Sequence, residues 1–95
     1  MVEYHPTWSE DELAAILHRL SEAGGGEARF GQDENGAVTG VDNPQELERA
    51  LFNVGYAQRP RIIAQTRTVL APNGKKAVIA EVGEFAICDM PSFVP

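Results

Sequence analysis

Ninety-five residues with an apolar fraction of 43% describe one globular domain, residues 1–95, with a single core rather than a disordered chain. The net charge of −6 argues against a simple nucleic-acid binder, and no apolar run approaches the ~20 residues of a membrane span. Cys88 is the single cysteine, which excludes an internal disulfide and a cysteine zinc site within one chain; with no signal-like N-terminus, the expected compartment is cytoplasmic.

Val2-Glu3-Tyr4 reads as a short first strand stopped by Pro6. A helix is expected over about Ser9–Ala23. Ser9 and Glu12 have the spacing of a capping box, Trp8 and Leu13 that of a hydrophobic staple, and Glu10, Asp11 and Glu12 suit the positive end of the helix dipole. Leu13, Ile16, Leu17 and Leu20 form its apolar stripe, and Gly24 is the expected stop. Glu27 to Val41 reads as a hairpin, or a strand with a short extension, turned at Asn35-Gly36.

Asn43 and Pro44 cap and start a second helix over about Asn43–Val54, with Leu47, Ala50, Leu51 and Val54 as its stripe and Gly55 as its end. Ile62 to Leu70 is a long strand paired with Lys76 to Val82 through the Asn73-Gly74 turn. On the first of these strands Ile62, Ala64, Thr66, Thr68 and Leu70 share one face, and Ile63, Gln65, Arg67 and Val69 the other. Phe85-Ala86-Ile87-Cys88 reads as a last short strand before a C-terminal tail, 89–95, that holds two prolines. Two helices with one apolar stripe each want the same partner, one face of a sheet. The expected fold is therefore a two-layer α+β domain in the order β-α-β(β)-α-β-β.

Charge is unevenly spread. Residues 1–57 carry eleven acids against Arg19, Arg29 and Arg49, a local charge of −8. Residues 58–80 hold Arg59, Arg61, Arg67, Lys75 and Lys76 and no acid, a local charge of +5. The chain is an acidic body with a basic hairpin over 59–76.

The glycine-punctuated run Gly24-Gly25-Gly26-Glu27-Ala28-Arg29-Phe30-Gly31-Gln32-Asp33-Glu34-Asn35-Gly36, followed by Val38-Thr39-Gly40-Val41-Asp42-Asn43-Pro44-Gln45-Glu46-Leu47, resembles the Schlafen-like AlbA domain. Members carry a glycine pair, an apolar strand, an Asp-rich turn ending in Gly and a "V-x-G-V-D-N-P-E-E-L" helix start. The resemblance implies an Alba-like fold whose hairpin contacts nucleic acid, here through Arg59, Arg61, Arg67, Lys75 and Lys76. Phosphate neutralisation by such cations releases counterions and supplies sequence-independent, salt-sensitive affinity. In Schlafen-type relatives, acids near the first strand and after the glycine-rich strand hold a divalent metal for RNA cleavage. Glu3, in the place of the family's "V-E-F-K", and Asp33, in that of its "G-V-D-D-x-G", match two of them, with His5 standing where the family has lysine.

Each feature has a plainer reading: solvated strand charges for the hairpin, and turn-forming or solvated acids for Glu3 and Asp33. Gly24-Gly25-Gly26 lacks a following Gly-Lys-Ser/Thr and reads as a helix C-cap rather than a phosphate loop. Cys88 with His5 or His18 makes a weak nucleophile pair; packed core and a boundary residue are the simpler roles. Phe52, Tyr56, Phe85, Met90, Phe93 and Val94 fall outside the expected core and mark an interface, with a homodimer as the favoured assembly.

The reading is a small non-enzymatic domain that binds DNA or RNA through the hairpin, with no cofactor, no metal and no membrane partner. The alternative is an acidic protein-binding modulator, such as a phage-type inhibitor or accessory subunit, whose acidic face engages a basic partner.

Overall fold

Local signals set most of the element boundaries. In a computed structural model that describes residues 1–83, the elements are β1 (Val2–His5), α1 (Glu10–Glu22), β2 (Gly26–Phe30), α2 (Pro44–Ala57), β3 (Gln65–Leu70) and β4 (Lys76–Val82). The strand expected over Phe85–Cys88 and the 89–95 tail lie outside the described residues.

Helix α1 begins at Ser9, but without the reciprocal capping box. The Glu12 amide bonds the Ser9 carbonyl at 3.1 Å, and the Ser9 hydroxyl donates to the Glu12 carboxylate at 3.2 Å. At the other end Gly24 takes φ +83°, its amide bonding the Ser21 carbonyl at 3.0 Å while the Gly25 amide reaches Leu20 at 2.9 Å. That crossed pair satisfies two carbonyls of the last turn, as the glycine stop predicts. Asn43 caps α2 as expected, its side-chain oxygen accepting the Glu46 amide at 3.2 Å, with Pro44 at the first helical position.

Two boundaries differ from expectation. Helix α2 runs through Gly55 to Ala57, because this glycine serves close approach rather than termination. The Ile62 amide donates to the Gly55 carbonyl at 3.0 Å, and a Cβ on Gly55 would overlap the Ile62 carbonyl oxygen. Strand β3 starts at Gln65 rather than Ile62. Ile62 is buried in the core and hydrogen-bonded to α2, which diverts the chain before it joins the sheet.

The sheet order is β1-β2-β4-β3, with β1 parallel to β2 and the other pairs antiparallel. Parallel neighbours need a crossover, and α1 supplies it. Residues Ala28, Phe30, Val78, Ala80 and Val82, alternate positions on β2 and β4, join Leu13, Ile16, Leu17 and Leu20 of α1 and Leu47 and Leu51 of α2 in one core. Trp8, Ala50 and Val54 pack against it. Both helices therefore cover one sheet face, α1 over β2 and β4 and α2 over β4 and β3. This is a two-layer α+β domain.

The Gly26–Val41 region is a strand with a short extension. Past β2, Gln32 bridges Val38, and the turn between them is held by Asp33, whose Oδ1 accepts the amides of Asn35 at 2.9 Å and Ala37 at 3.0 Å. The extension is tied to the hairpin turn: the Val41 amide bonds Lys76 O at 2.8 Å and Asn73 Nδ2 bonds Val38 O at 3.1 Å.

Candidate nucleic-acid interface

The basic hairpin occupies one edge of the sheet. Strand β3 pairs only with β4 among the described residues, and five of its six residues are exposed. Register sorts the cations by face. Lys76 aligns with Leu70 on the helix side, in step with Val78 and Ala80, whereas Arg67 aligns with Ile79 on the opposite face. There the row continues through Arg29 to Tyr4. Arg29 is committed to neighbours, pairing with the Glu27 carboxylate and reaching Gln32 Oε1 at 3.4 Å. Its place across Ile79 from Arg67 follows from a strand order that no local pattern encodes.

Lys75 and Lys76 come together at the hairpin turn, beside the first residues of α2. They border an open groove of about 420 Å³ with Thr39, Gly40, Val41, Asp42, Pro44 and Gly74. A second groove of about 350 Å³ follows Lys76 along α2, lined by Asn43, Pro44, Gln45 and Thr68. The Lys75 stem crosses Gly40, where an added Cβ would approach the lysine Cβ to 3.2 Å.

Arg59 and Arg61 lie at the other end of β3, beside the end of α2. Arg59 Nη1 donates to the Tyr56 and Gln58 carbonyls at 3.2 and 2.9 Å, and the Arg61 guanidinium stacks 4.2 Å from the Tyr56 ring centroid. Tyr56 in turn stacks on Phe52, centroids 5.7 Å apart. The hairpin cations thus form two clusters at opposite ends of β3, with Arg67 alone on the far face. The i, i+4 spacing of Phe52 and Tyr56 is legible in the sequence; the contact of Tyr56 with Arg61 is not, since it depends on how the chain returns after α2.

The acids matched by resemblance are each held by other groups. Glu3 sits on β1 facing α1, where Arg19 Nε and Nη2 donate to its two oxygens at 2.9 Å each and His5 Nε2 lies 2.9 Å from Oε1. The Arg19 guanidinium holds the Glu3 carboxyl below its usual range, against the opposing effect of burial, and the His5 hydrogen bond adds to the lowering. His5 also stacks on Phe30 at 5.4 Å. Asp33 spends one oxygen on its own turn. Among the described residues no three His, Cys, Asp or Glu side chains gather as a metal site. His18 is exposed and its Nε2 lies 2.8 Å from Gln58 Oε1 at the end of α2, while Cys88 lies outside the described residues. Of the apolar interface candidates, Phe52 and Tyr56 are exposed, 55% and 46%; Phe85, Met90 and Phe93, like Cys88, lie outside the described residues.

The acids of α1's first turn, Glu10, Asp11 and Glu12, are exposed, on the helix packed over β2 and β4. No helix among the described residues is long and apolar enough to cross a membrane. No family model, no curated protein and no solved structure matches this chain.

Proposed function

We propose that this chain is a small, non-enzymatic Alba-like domain of the cytoplasm that binds DNA or RNA through its basic hairpin. The observation that carries the reading is the exposure of Arg59, Arg67, Lys75 and Lys76 on an acid-free segment built around the β3 edge, with Lys75 and Lys76 bordering open grooves at its turn. The acids of α1's first turn sit on a helix packed over β2 and β4 rather than β3, so a strand following β3 is spared their repulsion, while Asp42 and Glu48 remain beside its path. The same separation supports a second reading, in which Glu10, Asp11 and Glu12 present an acidic face to a basic protein partner.

Electrophoretic mobility shifts at low salt, on single- and double-stranded DNA and RNA oligonucleotides, test the reading. Arg67→Ala and the Lys75→Ala/Lys76→Ala pair are expected to weaken binding to all sequences alike. Each lost phosphate contact lowers the log–log salt slope by about 0.7–0.9. Hairpin variants that bind like the parent protein overturn the reading. Loss of a co-purified partner on Glu10→Lys, with the hairpin variants silent, selects the acidic-face reading instead.

A further inference from the structure

Helix α2 buries Leu47, Leu51 and Gly55 and leaves a second line outside the core: Glu48, Phe52 and Tyr56, each four residues from the last. Two contacts fix where this line points. The Thr68 hydroxyl donates to the Glu48 carboxylate at 3.1 Å, and the Arg61 guanidinium lies over the Tyr56 ring. The line therefore runs beside β3, along the flank of the basic hairpin. Lys76 stands at one end, sharing a groove with Gln45 and Thr68; Arg59 and Arg61 stand at the other. From Gln45 to Tyr56 the helix rises about 16 Å.

Exposed aromatic rings are costly on a surface unless something covers them, and these two already stack on one another with more than half of Phe52 accessible. Cations at both ends with rings between them match the chemistry of single-stranded nucleic acid: a polyanionic backbone with unstacked bases. A duplex has the same phosphates, but its bases are already stacked and cannot reach a ring on a helix flank.

Resting on the hairpin reading above, we propose that the Phe52–Tyr56 pair is a base-stacking platform, and that the natural ligand is a single strand. Its bases stack against Phe52 while its phosphates meet Arg59 at one end and Lys76 at the other, with Arg61 holding the Tyr56 ring in place. Stacking is sequence-tolerant, since every base has a π-face, so the platform selects strandedness rather than sequence. Glu48 sits within the track and is occupied by Thr68.

Fluorescence anisotropy with labelled 12-nucleotide oligo(dT) and oligo(U), and a duplex of equal length, tests this on Phe52→Ala, Phe52→Leu and Phe52→Trp. Phe52 is exposed, and thermal melts check that each variant is folded. Phe52→Ala and Phe52→Leu are expected to weaken single-strand binding by about 5- to 150-fold, spare the duplex and leave the salt slope unchanged. Phe52→Trp is expected to retain affinity and to lose indole fluorescence as bases stack on it. Lys75→Ala/Lys76→Ala is expected to lower the slope by about 0.7 per lost contact. If the Phe52 variants bind single strands as the parent does while the lysine pair weakens binding, the platform is wrong and the hairpin reading survives. If Phe52→Ala instead changes the solution mass and not the affinity, the surface joins copies of the chain and the platform is overturned. If the parent protein binds none of the oligonucleotides, both readings fall together.

Discussion

Gly55 and Ile62 are in backbone contact: the Ile62 amide donates to the Gly55 carbonyl at 3.0 Å, and the glycine has no side chain to hold the Ile62 carbonyl away. The contact locks the end of α2 to the segment leading into β3. It places Ile62 in the core and Arg61 beside Tyr56.

Gly55→Ala tests that contact. In an open helix the change adds up to about 1 kcal/mol of stability. Here the methyl must displace backbone, and overpacking of this kind costs about 1–3 kcal/mol. Urea unfolding is expected to show a net loss of stability, and the Phe52–Tyr56–Arg61 stack is expected to loosen with it.

Glu3 carries a pH dependence. Its folded pKa is lowered, chiefly by Arg19, from the ordinary 4.5. A carboxyl shifted this way contributes stability that is present above its unfolded pKa and lost as pH falls through the folded one. The contribution therefore fades from about pH 4.5 downward. The Arg19 side chain is 49% exposed, so screening limits the pair to about 1 kcal/mol or less. Comparing urea midpoints near pH 7 and about pH 3, Glu3→Gln is expected to flatten this part of the acid response, and Arg19→Ala to do the same.

Asp33→Ala removes the acceptor shared by the Asn35 and Ala37 amides. A loss of about 1–2 kcal/mol is expected, with faster amide exchange over 32–38. Asp33→Asn, which keeps an acceptor oxygen, is expected to recover most of it. If Asp33 held a metal instead, added Mg²⁺ or Mn²⁺ would raise the melting temperature of the parent and not of the variant.

Glu48 is the acid on the hairpin flank, linked to Thr68 at 3.1 Å. Glu48→Gln is expected to tighten oligonucleotide binding by up to about fivefold at low salt, with the gain fading as salt rises. Glu10→Gln, on α1, which packs over β2 and β4 rather than β3, is expected to change it less. Titrations of both variants at two salt concentrations separate local from overall repulsion.

Self-association is expected to use the sheet edges. Strand β3 exposes Val69 and Leu70, 40% and 66%, and β1 exposes Val2 and Tyr4. Light scattering is expected to return about twice the 10.3 kDa of one chain. A mass of 10.3 kDa would mean that Arg67, Lys75 and Lys76 guard the edge against pairing instead.

What could be read from the residues alone was local. Asn43 and Pro44 start α2, Gly24 stops α1, and the two leucine stripes define the face each helix buries, because caps and stripes depend on neighbours within about one turn. The α+β order and the β3–β4 hairpin followed from the same reasoning. What the tertiary structure alone decided joins residues far apart in the chain. It set the parallel pairing of β1 with β2 and the order that places β4 between β2 and β3. It brought Arg19 to Glu3, sixteen residues away, and passed α2 through a glycine that looked like its end. It divided one run of five cations between two ends and two faces of a strand, and laid Phe52 and Tyr56 along its flank. Local periodicity fixes which face of an element is apolar; which elements then meet depends on how the chain crosses over, and that is set only when all the apolar faces are buried together.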